Sequence, residues 1–151
     1  MPDSHFTLEA EQEIIAQTKA NWSAKTGYGF GIFLDTGATA ESRAELIGRV
    51  NLANVVWGAW RSCTIGYWLD QQQNGRGLAT EAVRLAVKFA LTDAGLHRVQ
   101  GAVMPRNRAS RRVLEKVGFH HEGLARFYLQ INGVWEDHDV YSITLEDWDP
   151  A

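Results

Sequence analysis

The sequence predicts an α/β protein with an α+β mixed sheet, in which an antiparallel meander is followed by a central parallel strand pair flanked by helices. First, the apolar and β-branched run 64–69 enters a glycine-bearing turn and continues with apolar residues at helical spacing. Second, a further strand, 97–103, follows that helix and is therefore expected to be parallel to the first. Third, Asn132-Gly133 separates two β-rich runs and indicates a tight hairpin.

Length and composition restrict the class of protein. The 151 residues suffice for one domain, assigned here to 1–151, that buries roughly 70% of its unfolded surface. The net charge of −3 argues against a nucleic-acid partner, and no segment approaches a membrane span or a secretory signal. One cysteine, Cys63, excludes an internal disulfide and fits a reducing cytosol, so we expect a cytoplasmic protein. No metal site is predicted.

The first half of the chain is predicted to form a helix and an antiparallel hairpin. Thr7 can cap a helix that runs to about residue 24. Residues 30–35 and 45–52 have the composition of two strands, joined by a long loop of small and charged residues at 36–44. The helix that follows strand 64–69 is expected to end near residues 93–95, where glycine is a natural stop.

The second half is predicted to add one helix and a closing hairpin. Pro105 ends strand 97–103, and Asn107 is a good N-cap for the next helix. Gly118 provides a left-handed stop for that helix, with Phe119 as its apolar partner. The last two strands are expected at about 123–131 and 135–145.

The turn between strand 64–69 and its helix is a candidate anion site. Backbone N–H groups at a helix start have no intrahelical partner, and the helix dipole adds positive charge there. Leu78-Ala79 excludes a Walker loop, which needs lysine and then serine or threonine. A dinucleotide fingerprint fits poorly, because Thr80 replaces its last glycine and the next strand ends in Met104-Pro105 rather than an acidic residue. An ordinary tight turn is the simpler alternative.

A third phosphate-binding pattern is Gln/Arg-x-x-Gly-x-Gly/Ala, and the residues Gln72-Gln73-Asn74-Gly75-Arg76-Gly77 match it. This is the pyrophosphate-binding motif of the GNAT acetyltransferase superfamily, which the chain resembles. The subgroup it resembles most is the ribosomal-protein N-terminal acetyltransferases. The further pieces that carry this likeness are Ile65-Gly66-Tyr67-Trp68-Leu69, Gly75-Arg76-Gly77-Leu78-Ala79-Thr80-Glu81-Ala82, Asn107-Arg108-Ala109-Ser110, Val113-Leu114-Glu115-Lys116-Val117-Gly118-Phe119-His120-His121-Glu122-Gly123 and Asn132-Gly133-Val134-Trp135-Glu136-Asp137-His138. The resemblance implies the GNAT acyl-CoA N-acyltransferase fold.

One departure from the family concerns the beginning of the chain. Members usually open with a further strand and helix before the helix that starts here near Thr7. Two readings are open: the start codon is placed late, or an edge strand and part of the acceptor wall are absent.

The resemblance implies acetyl-CoA as co-substrate. The turn would hold its pyrophosphate, and the main chain of Trp68 and Leu69 would bind the pantetheine arm and polarise the thioester carbonyl. In the family an asparagine at the position of Asn107 bonds that arm, although a plain N-cap is an equal alternative. The implied acetyl-CoA-binding residues are Trp68, Leu69, Gln72, Gln73, Asn74, Gly75, Arg76, Gly77, Leu78, Ala79, Thr80 and Asn107.

The resemblance also indicates how the thiolate leaves. Many members carry an acid tyrosine at the position occupied here by Leu114, so that route is closed. The ribosomal-protein subgroup instead uses a serine matching Ser110 to hold or protonate the thiolate, so Ser110 is the predicted catalytic residue. A serine in the first turn of a helix is also common without any such role.

The general base is not assigned by the sequence. The glutamate of the subgroup matches Leu129, so its role cannot be carried over. Glu136, Asp137 and His138 have suitable chemistry, but solvent exposure beside a hairpin is the expectation for them. A strong base is not essential, because an α-amine has a pKa near ~8 and lysine near ~10.4, so water relay can serve an N-terminal amine.

The predicted function is direct transfer of the acetyl group to a primary amine, with a ribosomal or other protein N-terminus as acceptor. Two alternatives are open: acetylation of a small amine such as a polyamine, an aminoglycoside or an amino acid, and a CoA-binding regulatory module without catalysis. The oligomeric state is open too, with a homodimer as one option.

Overall fold

A mixed six-stranded sheet forms the centre of the protein, in the order β1-β2-β3-β4-β6-β5. The computed structural model describes residues 8–34, 45–75 and 77–148, with the side chains of the first helix described from Ala16 onwards. Thr7, the predicted loop 36–44 and Arg76 lie outside these ranges. The elements are α1 (Leu8–Ala24), β1 (Tyr28–Leu34), β2 (Glu45–Val56), β3 (Ser62–Leu69), α2 (Leu78–Lys88), β4 (Arg98–Val103), α3 (Arg108–Val117), β5 (His120–Ile131) and β6 (Val134–Thr144).

The pairing confirms the predicted fold class. Strands β1, β2 and β3 are antiparallel neighbours, while β3 and β4 are parallel, as expected for two strands joined by a helix. The closing hairpin turns at Asn132 and Gly133, which both have positive φ (51° and 82°), as a two-residue I′ turn requires. Within the described ranges, no helix is long and apolar enough to cross a membrane.

Several predicted boundaries differ from the observed ones. Strand β2 continues to Val56 rather than ending at Leu52, because a register shift near Asn54 (φ 52°) lets pairing resume. Strand β5 starts at His120, directly after the helix stop, with an irregularity before Gly123 that lets it pair earlier than its composition suggests. Helix α2 ends at Lys88 but continues as a π-helical turn, Phe89–Asp93, so the helical run stops where predicted, near residues 93–95.

One face of the sheet is covered by α2 and α3, and the core lies beneath them. Side chains alternate between the two faces along each strand, so the buried residues of β3 and β4 share the helical side. The fully covered residues on this side include Val50, Leu52, Cys63, Val83, Val87, Val99, Leu114, Tyr141 and Ile143. The opposite face carries polar side chains, among them Thr64, Gln100 and Ser142.

A close approach between β2 and β3 fixes the end of β3. Gly48 lies opposite Leu69, and a Cβ at position 48 would collide with the Trp68 carbonyl oxygen and lie 3.1 Å from the Leu69 Cα. The N–H of Asp70 then donates to the Ile47 carbonyl at 2.7 Å. Only glycine at position 48 lets the two backbones lie this close.

We predict that Gly48→Ala lowers the free energy of unfolding by about 1–3 kcal/mol, because the added methyl group forces the two strands apart. Urea unfolding measures the change. Gly66→Ala on β3 is the matched control, since a Cβ there meets nothing within 4 Å. Equal unfolding free energies for the two variants would show that the close approach does not constrain the sheet.

Candidate functional site

The parallel strands β3 and β4 separate after three residue pairs. Their pairing covers Ser62 to Thr64 on β3 and Arg98 to Gln100 on β4, although β3 continues for five more residues and β4 for three. A cavity of about 210 Å³ lies where the strands diverge. Main-chain groups that face this opening are left without a partner strand, so an extended molecule with amide groups can supply their hydrogen bonds.

Leucine 114 of α3 helps to hold this opening. It is 1% exposed and lines the cavity, and its Cδ1 atom would lie 3.1 Å from a Cβ added to Gly101 of β4. The position that carries an acid tyrosine in many GNAT members is thus filled by a buried aliphatic side chain, which has no proton to give.

The turn that follows β3 uses part of its own backbone internally. The Asp70 carboxylate accepts the Gln72 N–H at 3.3 Å, and the Asp70 carbonyl accepts the Gln73 N–H at 2.9 Å. The N–H of Asn74 donates to the Gln71 carbonyl at 3.2 Å. The main-chain N–H groups of Gln72, Gln73 and Asn74 are therefore engaged, so their predicted pyrophosphate contacts remain predictions for the side chains alone.

The remaining donors of the turn lie at the start of α2. The first helical bond is donated by Glu81 to the Gly77 carbonyl at 3.1 Å, and no side chain caps this helix. The N–H groups of Gly77, Leu78, Ala79 and Thr80 precede that bond and point out of the helix end. Together with the helix dipole they make a suitable site for a pyrophosphate, while Arg76 lies outside the described residues.

Both glycines of the turn are required by backbone conformation. Gly75 has φ 84° and Gly77 has φ 74°, in the left-handed region that other residues enter only with strain. A Cβ at either position would meet no atom within 4 Å, so the space in front of the helix end is open. The lack of a Cβ thus allows both the left-handed backbone and, as we predict, a close approach of phosphate to the main chain.

Trp68 and Leu69 lie between this turn and the cavity. One edge of their strand pairs with Arg49 and Gly48 of β2, and the other edge faces the gap beyond the last β3–β4 pair. This is the placement that contact with a pantetheine arm requires, so the fit is good and the contact itself remains a prediction.

Asn107 and Ser110 begin α3 beside the cavity. The Asn107 side-chain oxygen accepts the Ser110 N–H at 3.1 Å, which confirms the N-cap. Because the oxygen is used in the cap, a ligand contact by Asn107 would have to come from its NH₂ group. The two alternatives for Asn107 are therefore compatible.

Tyr67 is a site residue that the sequence reasoning missed. Its hydroxyl donates to Ser110 Oγ at 3.0 Å and lies 3.4 Å from the Ser110 carbonyl oxygen. Burial raises the pKa of Tyr67, and the bond to Ser110 lowers it in part. Since Ser110 Oγ accepts this hydrogen bond, its own proton is free to point into the cavity. The period-two alternation with Ile65 was the signal that places Tyr67 on the helical face.

The predicted exposure of His138 is wrong. His138 is 3% exposed and lines the same cavity as Ser110. The physical reason is the strand order, which places β6 between β4 and β5, so the His138 side chain lies among neighbouring strands and packs against Tyr128 of β5. Glu136 and Asp137 are partly buried, and each carboxylate has a partner: Arg106 Nη1 at 3.3 Å and the Phe127 N–H at 2.8 Å. The subgroup's glutamate position, Leu129, is 44% exposed on β5.

Comparison with known proteins gives this geometry a family. A family model described as an acetyltransferase (GNAT) domain matches residues 1–120. The chain belongs to the GNAT acetyltransferases. The Bacillus subtilis protein named "Probable N-acetyltransferase YjcK" is 45% identical over 145 residues, which are 96% of this chain and 77% of that protein.

Two further relatives carry names that refer to ribosomal-protein acetylation or to CoA. The ribosomal protein uS5-alanine N-acetyltransferase of Escherichia coli is 39% identical over 107 residues, 71% of this chain and 55% of that enzyme. The solved structure of Mycobacterium smegmatis RimJ in complex with CoA-disulfide is 34% identical, with a TM-score of 0.89 over 100% of this chain and 68% of that one. The chain is thus an acetyl-CoA-dependent N-acetyltransferase, similar to ribosomal-protein alanine N-acetyltransferases.

Acetyl-CoA affinity should depend on the open space before α2. We predict that Gly77→Asn weakens acetyl-CoA binding by about tenfold or more, because asparagine tolerates the left-handed backbone but places a side chain where the pyrophosphate would lie. Calorimetry measures the dissociation constant.

Gly58→Asn is the matched control for this substitution. Gly58 has φ 70° in the loop between β2 and β3, and a Cβ there also meets nothing within 4 Å. Unchanged affinity in a folded Gly77→Asn protein would move the pyrophosphate site elsewhere.

The Tyr67 hydroxyl should affect turnover only through its hydrogen bond to Ser110. We predict that Tyr67→Phe lowers kcat by about five- to tenfold, as expected for one hydrogen bond worth about 1 kcal/mol, without changing the acetyl-CoA dissociation constant. The same substitution in a Ser110→Ala background should have no further effect on kcat. Fully additive losses in the double variant would separate the two residues. Tyr28→Phe, at a buried tyrosine outside the cavity, is the control.

Proposed function

We propose that the enzyme acetylates the α-amine of a protein N-terminus by direct transfer from acetyl-CoA. The observation that carries the choice of acceptor is the pairing of every carboxylate on the β5–β6 hairpin. Glu122 is held by Arg98 at 2.7 and 2.8 Å, Glu136 by Arg106, Asp137 by the Phe127 N–H, and Asp139 by His121 at 2.8 Å. A polyamine carries several positive charges, and on this hairpin it would have to compete with the hydrogen-bond or ion-pair partner that each carboxylate already has.

Glu122 shows how strongly these carboxylates are engaged. Bonds from Arg98 and Ser142 lower the pKa of Glu122 to about 2, so it stays ionised and paired at neutral pH. A carboxylate bound twice by a guanidinium is a poor partner for a second cation. The engagement of these carboxylates supports an acceptor amine with a single charge.

The chemistry of the amine supports an N-terminus over a lysine. An α-amine has a pKa near ~8, so a substantial fraction is neutral near pH 7, whereas lysine near ~10.4 has on the order of a thousandth. The similarity to the uS5-alanine N-acetyltransferase supports a ribosomal-protein N-terminus as acceptor. Such an acceptor is made in the cytoplasm, where we place the enzyme, and a homodimer stays a prediction.

Direct transfer is supported by the state of the cysteine. Cys63 is the sole cysteine of the chain, is 2% exposed, and burial raises the pKa of its thiol to about 12. A thiol that stays protonated in the core cannot form an acetylated intermediate.

The roles of the residues follow from their positions. Acetyl-CoA supplies the activated acetyl thioester. The N–H groups at the start of α2 bind its pyrophosphate, and the free edge of β3 at Trp68 and Leu69 orients its arm. Ser110, aligned by Tyr67, donates a hydrogen bond to the departing sulfur.

Three acceptors test the choice of amine. We predict that a short peptide with a free N-terminal alanine is acetylated at least about tenfold more efficiently, in kcat/KM, than an N-blocked peptide with an internal lysine or than spermidine. Mass spectrometry locates the acetyl group. Equal or faster reaction of the lysine peptide or of spermidine would overturn the assignment.

The Ser110→Ala variant is the control that this reaction uses the described site. It should lower kcat by about 10–10³-fold for each acceptor without changing acetyl-CoA affinity. Acetyl-CoA binding without transfer to any amine would instead favour the CoA-binding module.

A further inference from the structure

A buried histidine faces the cavity from the strand next to β4. His138 is 3% exposed and lines the cavity that also contains Ser110 and Asn107. It lies on β6 one residue before Asp139, which pairs with the last residue of β4, Val103. The imidazole is therefore placed just beyond the end of β4, where the sheet opens.

The hydrogen bonding of this histidine fixes its tautomer. Its Nδ1 atom lies 2.9 Å from the main-chain oxygen of Glu136. A carbonyl oxygen can only accept, so Nδ1 must carry the proton in the neutral ring. The Nε2 atom is then unprotonated and has a lone pair to accept a proton.

The lone pair of Nε2 is available. No hydrogen bond to Nε2 is found in the described parts of the chain, and those parts contain no fully enclosed side-chain nitrogen or oxygen without a partner. Nε2 is therefore reachable from outside although the residue as a whole is almost completely covered. The opening through which it is reached is the cavity that His138 lines.

The neighbouring strand holds the ring in place. Tyr128 packs against His138 with ring centroids 5.9 Å apart, and the Tyr128 oxygen accepts a bond from Gln100 Nε2 at 3.1 Å. This contact depends on a bulge in β5, where Phe127 has φ 46° and its N–H is bound by the Asp137 carboxylate. The bulge thus positions the Tyr128 ring that packs against the imidazole.

We propose that His138 Nε2 is the general base that takes the proton from the acceptor amine. The inference rests on the proposed function for the presence of an amine acceptor, but not for which amine it is. The neutral amine nitrogen forms the C–N bond to the thioester carbonyl carbon and gives one proton to Nε2, and the C–S bond breaks. The sulfur leaves as a thiolate bonded by Ser110, and the imidazolium returns its proton through solvent as the thiolate is protonated. The products are an N-acetyl amine and CoA thiol.

His121 provides a matched comparison within the same hairpin. Its Nε2 lies 2.8 Å from Asp139 Oδ1 and its ring packs on Tyr141 at 5.1 Å, so it has the carboxylate partner that His138 lacks. His121 does not line the cavity, however, and it contacts side chains beside α3. Of the two histidines, only His138 lines the cavity, and this position, rather than a carboxylate partner, makes it the candidate base.

The tautomer can be measured without any reaction. Long-range ¹H–¹⁵N spectra of the wild-type imidazoles, with His138 assigned by its absence in His138→Gln, should show the Nδ1–H form. A neutral His138 ring protonated at Nε2 would overturn the proposal, because that atom could not then accept a proton.

Kinetics test the role itself. His138→Gln should lower kcat by about 10²–10³-fold with the acetyl-CoA dissociation constant unchanged, and added imidazole should restore part of the activity of His138→Ala. His97→Gln, at a histidine that pairs with Glu146 and does not line the cavity, should retain wild-type kcat. Wild-type turnover in His138→Gln, or no response of His138→Ala to imidazole, would remove His138 from the reaction.

The acceptor used in these assays is the best one found among the free N-terminal peptide, the lysine peptide and spermidine. If the N-terminal peptide is not preferred, the proposed acceptor fails while the loss in His138→Gln still reports on the base. If the N-terminal peptide is preferred and His138→Gln is fully active, the inference about His138 alone fails.

Discussion

The separation of two parallel strands is the constraint on which the rest of the site depends. Once β3 and β4 stop pairing after Thr64 and Gln100, their main-chain groups lose their ladder partners. A polar group left unbonded in a buried place costs about 1–3 kcal/mol, so this opening favours a ligand that carries amides along its length. The pantetheine arm of acetyl-CoA has that chemistry. We therefore expect the bound co-substrate to supply the hydrogen bonds that the separated strands lack.

The same separation gathers the other parts of the site at one edge. Helices α2 and α3 both follow the carboxyl ends of the diverging strands, so their N-termini lie at the same edge of the sheet. One end has no side-chain cap and suits the proposed pyrophosphate site, while the other is capped by Asn107 and carries Ser110. Beyond the end of β4, His138 lines the opening from β6. The three proposed roles, which are binding of the pyrophosphate, stabilisation of the leaving sulfur and acceptance of a proton, would all belong to this edge of the sheet.

Local signals predicted most of this framework. The caps at Asn107 and Gly118, the Asn132-Gly133 turn and the parallel strand pair each depend on a few adjacent residues, so the sequence was sufficient for them. The burial of His138 depends on β6 lying between β4 and β5, which no short window contains. The bond from Tyr67 to Ser110 joins residues 43 apart in the chain for the same reason. The burial of His138 and the Tyr67–Ser110 hydrogen bond are therefore set by the tertiary arrangement of the strands and helices, which local sequence does not reveal.

The sheet face opposite α2 and α3 carries a cluster of polar side chains that stabilises the fold. Arg98 on β4, Glu122 on β5 and Ser142 on β6 join three strands through one carboxylate, whose pKa is lowered to about 2. Because the folded-state pKa lies below the usual glutamate value of 4.5, this contribution is present above that value and is lost as pH falls toward 2. Glu122 is 41% exposed in its side chain, so solvent screens the interaction in part.

Irregular pairing at the two outer strands has a consequence for the protein as a solute. Strands β1 and β5 form the outer edges of the described sheet. Strand β5 bulges between Ala125 and Leu129, whereas the pairing of β1 shifts between Ile32 and Phe33 because β2 carries the extra residue Ile47. A straight outer strand can recruit a strand from another molecule and begin aggregation, whereas a bulge in that strand breaks the regular row of N–H and C=O groups that such recruitment needs. The bulged edge at β5 can thus expose Phe127 and still disfavour the addition of a strand from a second molecule.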